Sequence, residues 1–117
     1  MPETGRYASP GLDRLLHEPA RLGILTALIT RAEGLTFGGL QAACGLTDGN
    51  LASHARHLEE AGLVTCRKCL DAGRSATLYQ ITPEGQARFV EYLGVLKRVI
   101  RDASVEPSPR SRRARPA

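Results

Sequence analysis

Apolar residues recur along this 117-residue chain in stripes of helical spacing, broken once by a stretch that alternates with a period of two. "LDRLLH" at 12–17 reads as a short helical piece. "EPARLGILTALITR" follows, with Pro19 suited to a first helical position and a stripe of Leu22, Leu25, Leu28 and Ile29. Gly34 breaks that pattern. "TFGGLQAAC" is a second helix, capped by Thr36 and ended by Gly45, where a positive φ favours glycine. "TDGNLASHARHLEEAGLV" carries a third, with Thr47 as its cap, Asp48 at the positive end of its dipole, Leu51, Ala55 and Leu58 as its buried face, and Gly62 as its stop. Its other face, Asn50, Ser53, His54, Arg56 and His57, is polar without the Glu and Lys usual on a solvated surface.

The pattern then changes. "LVTCRKC" and "ATLYQIT" read as strands joined by the loop "LDAGRS", with Thr77, Tyr79 and Ile81 sharing one buried face. Thr82 and Pro83 open a long last helix, 83–103. In it Phe89, Leu93, Leu96 and Ile100 follow the 4-3-4 spacing of an interhelical seam, which Tyr92 and Val99 broaden. A single domain core cannot easily cover so wide a stripe, so the helix is expected to dimerise. The predicted class is α+β and mainly helical. Two short helices meet at a glycine, and a hairpin with a basic loop follows the second, which is the layout of a winged helix-turn-helix with a two-stranded wing.

Composition changes the picture only in part. The formal charge is +4, but Arg110, Arg112, Arg113 and Arg115 against Glu106 place +3 in residues 104–117, leaving +1 for residues 1–103. Any contact with nucleic acid must therefore rest on where charges lie within the folded part. Aromatic content is 4% with no Trp, which argues against stacking on single strands. Residues 1–11 read as a flexible N-terminus, 12–103 as one domain, and 104–117 as a disordered basic tail able to condense on phosphates. No apolar run matches a membrane span or a signal peptide, and three cysteines without an export signal suit reduced thiols in the cytoplasm.

Candidate chemistry narrows the reading further. No nucleophile–base pair or carboxylate pair presents itself, so an enzyme is not expected. "CRKC" at 66–69 has no second ligand pair for zinc, and on a strand Cys66 and Cys69 point to opposite faces. It also lacks the helix N-terminus that a thiol oxidoreductase would need. Cys44 reads as core, and His17 as a helix-end residue with no evident partner. "HARH" at 54–57 could present two imidazoles as a metal site does, but DNA-facing polar residues are the better reading. No metal and no cofactor are expected.

"EPARLGILTAL" resembles the second helix of bacterial winged-helix regulators of the MarR and ArsR type, and "LTFGGLQAACGLTDGNLASHARHLEEAGLV" resembles their helix-turn-helix. His54, Leu58, Glu59, Gly62 and Leu63 match the end of that pattern, and "GRSATLYQITPEGQARF" is similar to the wing and the Thr-x-x-Gly entry to the final helix, here Thr82 and Gly85. Gly49–Asn50 and the long last helix bring it nearest to the compact MarR-like subgroup. The chain departs at Ala52, where these regulators carry a phosphate-contacting Ser, and at Ala55, where they carry Leu. The resemblance implies a homodimer on double-stranded DNA, acting at a palindromic operator; whether a small-molecule effector enters is left open, and no membrane partner is expected. Thr47, Asn50, Ser53, His54, Arg56 and His57 would meet DNA from the helix, and Arg67, Lys68 and Arg74 from the wing. Phe89, Tyr92, Leu93, Leu96, Val99 and Ile100 would form the dimer interface. The alternatives are a winged helix that binds protein, and a regulator answering to thiol chemistry or metal.

Overall fold

The computed structural model describes residues 13–104; the expected flexible N-terminus and basic tail lie outside the described residues. Its elements run α1 (Pro19–Ile29), β1 (Leu35–Thr36), α2 (Phe37–Cys44), α3 (Asp48–Glu60), β2 (Val64–Asp71), β3 (Arg74–Ile81) and α4 (Pro83–Ser104).

Local chemistry sets most of the boundaries. Glu18 caps α1, its carboxylate accepting from the N–H groups of Ala20 at 2.7 Å and Arg21 at 3.1 Å, with Pro19 beside it in the first turn. The Thr36 hydroxyl accepts from Gly39 N at 3.1 Å, and Gly45, at φ +66°, closes α2 through its own N–H to Gln41 O. The Thr47 hydroxyl accepts from Asn50 N at 3.2 Å to start α3.

Two expectations are corrected and one element is added. Residues 14–17 form a turn, not a helix: His17 N donates to Asp13 O, and the Asp13 carboxylate takes the N–H of Leu15. Only one such turn precedes Pro19, too few hydrogen bonds to propagate a helix. The wing loop contracts from six residues to Ala72–Gly73, both at positive φ (56° and 80°), a geometry that matches the right-handed twist of the flanking strands and extends both of them. The wing is two-stranded as expected, β2 with β3, and β1, absent from the sequence reading, adds a third strand in the order β1-β3-β2, all neighbours antiparallel. β1 pairs Leu35 with Tyr79, and Gly34 makes this approach feasible. At φ +91°, its missing Cβ would stand 2.5 Å from the Tyr79 carbonyl oxygen.

The core joins Leu16 to Ile24, Leu25 and Leu28 of α1, Leu40 of α2, and Leu51, Ala55 and Leu58 of α3. Leu63, Val64 and Tyr79 close it from the hairpin, with Phe89 and Tyr92 from α4. Of the predicted buried face on β3, Tyr79 is buried, while Thr77 and Ile81 are half-buried. Burial raises the Tyr79 phenol most; the Cys66 charge and hydrogen bond, then the charge of Glu59, add to push it up to about 12, so it stays neutral in the core.

The last helix divides its apolar residues. Phe89 (6% exposed) and Tyr92 (4%) belong to the core of the single chain, and Leu96 packs half-buried against it. Phe89 and Tyr92, expected at the dimer surface, are therefore covered within the single chain, where α4 packs on α1. Leu93 (42%) and Ile100 (57%) are exposed, together with Val90 (61%), which the sequence reading left out; Val99 is half-buried. Two polar contacts tie α4 to the first turn. The Arg88 guanidinium donates to both Asp13 carboxylate oxygens, and His17 Nδ1 lies 2.8 Å from the Tyr92 hydroxyl, so His17 does have a partner.

Candidate nucleic-acid interface

Helix α3 lays Leu51, Ala55 and Leu58 into the core against α1 and β2, which turns Gly49, Asn50, Ser53, Arg56, His57 and Glu60 away from it. Asn50, Arg56 and His57 are exposed and Ser53 is half-buried. Thr47 is exposed, with its hydroxyl engaged in the cap. Ala52, in place of a serine, is exposed and brings no hydroxyl to this surface. Glu59 and Glu60 end the helix, so an anion would meet its first two turns more favourably than its last.

His54 takes a different place from its neighbours. It is half-buried, with Nδ1 3.3 Å from Arg21 Nη1 and Nε2 3.9 Å from Glu18 Oε1, and so faces the start of α1. His57 Nδ1 instead lies 2.9 Å from the carbonyl oxygen of Ser53, one turn back. The two imidazoles diverge and do not form a shared metal position. Glu18 and Arg21, absent from the sequence-predicted site, therefore help to hold α3, as does Gln41, whose Nε2 donates to Asp48 Oδ1 across the α2–α3 junction. Nothing local marks these three residues, because each acts on a neighbour that only folding supplies.

Partial desolvation raises the Glu18 carboxyl, but the N–H groups of Arg21 and Ala20 and the charges of His54 and Arg21 outweigh it and hold the carboxyl below its ordinary 4.5. A carboxylate depressed on folding contributes its full stability above the unfolded value and loses it as pH falls through the folded one. Glu18→Gln is therefore expected to lower the melting temperature at neutral pH, with the gap to wild type closing under acid. Calorimetric scans across pH check this, and a gap independent of pH would contradict it.

The hairpin stands beside α3. Arg67 and Lys68 are exposed on β2 and point to opposite faces, as consecutive strand residues must; Arg74 is exposed at the tip, paired in register with Asp71. Arg67 Nη2 donates to Gln80 Oε1 at 3.4 Å, and Gln80 in turn reaches Ala32 O, which steadies the base of the wing. Cys66 lies opposite Tyr79 on the core side, whereas Cys69 lies opposite Ala76 on the other face, too divergent to share an ion. Burial raises the Cys44 thiol, which packs against the core and is correspondingly unreactive. Among the described residues no group of three or more His, Cys, Asp or Glu side chains could hold a metal, and no helix is long and apolar enough to cross a membrane.

Residues 20–100 match the family model of the winged helix DNA-binding domain. An uncharacterized protein of Methanocaldococcus jannaschii is 36% identical over 80 residues, covering 68% of this chain and 86% of the relative. The structure of a transcriptional regulator homologue from Pyrococcus horikoshii OT3 superimposes with a TM-score of 0.76 at 36% identity, covering 88% of this chain and 98% of that one. A MarR-family regulator from Rhodococcus sp. RHA1 shares the fold at a TM-score of 0.65 and 22% identity, over 93% of this chain and 78% of its own. The polar outward face of α3, the basic hairpin beside it and these matches agree: the chain belongs to the winged helix DNA-binding domain family, a DNA-binding module and not an enzyme.

Proposed function

We propose that this protein is a cytoplasmic transcriptional regulator that binds double-stranded DNA sequence-specifically as a homodimer, on a palindromic operator. The observation that carries the reading is α3: its apolar stripe is locked in the core, while Asn50, Ser53, Arg56 and His57 form a polar ledge free to enter a major groove. Arg67, Lys68 and Arg74 extend the contact to the phosphate backbone from the wing. His54, held by α1, serves mainly to orient the helix. Homodimerisation is supported by the exposed apolar residues Val90, Leu93 and Ile100 on α4, outside the core of the single chain. Two linked domains would then read half-sites about one helical turn apart. The described relatives with a stated role are transcriptional regulators, in keeping with this assignment.

Arg56→Ala tests the ledge. The side chain is exposed and opposite the buried stripe, so folding is expected to persist while specific binding weakens by about 1–3 kcal/mol, roughly fivefold to 150-fold. Titration of a selected operator, with thermal unfolding alongside, measures both quantities. Unchanged affinity would rule out this face as the reading surface.

A further inference from the structure

The two histidines of α3 are three residues apart yet carry opposite hydrogen-bond chemistry. A guanidinium can only donate, so the contact from Arg21 Nη1 requires His54 Nδ1 to be the unprotonated nitrogen; its ring proton sits on Nε2, toward Glu18. A carbonyl can only accept, so the contact with Ser53 O requires His57 Nδ1 to bear a proton. In the neutral imidazole, His57 Nε2 is then a bare acceptor, fixed in place by the bond on the other nitrogen. His57 is exposed and shares the outward face with Asn50 and Arg56.

The major groove offers hydrogen-bond donors of one kind, the amino groups of cytosine N4 and adenine N6. Arg56 can only donate and cannot read them. An acceptor whose ring is already bonded to its own helix loses little freedom on binding. Resting on the DNA-binding reading above, we propose that His57 is a specificity-determining residue. Its Nε2 accepts from a cytosine or adenine amino group in the major groove.

The surroundings leave this choice to His57 itself. On α3, Arg56 is its chain neighbour and Glu60 lies one turn on. From α1, Glu18 and Arg21 engage His54. From β2, Arg67 bonds Gln80. Glu60 is also an acceptor on this face. It is retained in His57→Ala, so that variant separates the two.

The test is selection of bound duplexes from a random pool by the full chain, wild type and His57→Ala, with thermal unfolding in parallel. Wild type is expected to prefer cytosine or adenine at one position of the contacted strand by about threefold to tenfold. His57→Ala loses that preference alone, melting as wild type does. Identical motifs for both proteins overturn the assignment, as does a loss spread evenly over all sequences, which marks a phosphate contact. If wild type selects no motif at all, the DNA-binding reading itself falls, and this inference with it.

Discussion

Glutamate at both Val90 and Leu93 is expected to turn a dimer into a monomer in sedimentation and to reduce operator affinity by about a hundredfold or more, the order of effect that linking two binding modules supplies. The two positions are 61% and 42% exposed, three residues apart on one side of α4. Charges there meet solvent in a monomer and face each other only across a dimer interface, where burying them unpaired is costly. Leu96 is the less useful site, because it packs against the core and a charge there would unsettle the single chain as well. The double variant should keep most of its thermal stability. A wild-type chain that sediments as a monomer would exclude this assembly.

Gly85→Ala is expected to destabilise the fold by about 3 kcal/mol, at the upper end of overpacking effects, lowering the melting temperature by roughly 10 °C or more. Gly85 lies where α4 starts against the end of α3 and the base of β2. The Thr82 hydroxyl donates to the Gly62 carbonyl at 2.8 Å and accepts from Gly85 N at 2.9 Å, while Thr82 N donates to Leu63 O. A Cβ on Gly85 would overlap the Leu63 carbonyl oxygen and stand 2.9 Å from Ile81 Cγ1. The Leu63 carbonyl is backbone and cannot step aside as a flexible side chain would. The Thr-x-x-Gly pattern visible in the sequence therefore has a packing cause: the threonine ties two elements together, and the glycine lets them approach. Thermal denaturation of the variant measures the loss, and a melting temperature within a few degrees of wild type would contradict it.

What the sequence determined by itself is what depends on neighbours within a turn. Thr36, Thr47 and Thr82 hydroxyls each accept an amide three residues on, and Gly45 takes the left-handed conformation that ends α2. The stripe of Leu51, Ala55 and Leu58 marks the buried side of α3, and hence its outward ledge, because helical periodicity needs no knowledge of the partner. What only the tertiary structure decided depends on residues far apart in the chain. β1 is two residues long, too short for any period, and exists because Gly34 lets it reach the edge of β3. The apolar width of α4 was legible, but its division between core and surface was not, since Phe89 and Tyr92 are covered only once α1 and the turn before it are in place. His54 and His57 look equivalent in "HARH". Arg21, 33 residues upstream, draws one toward α1, while the other bonds its own helix and stays exposed. His17 meets Tyr92 across 75 residues. Caps and stripes are written in local spacing; which of two like side chains is held and which is left exposed is settled by the partner that folding delivers.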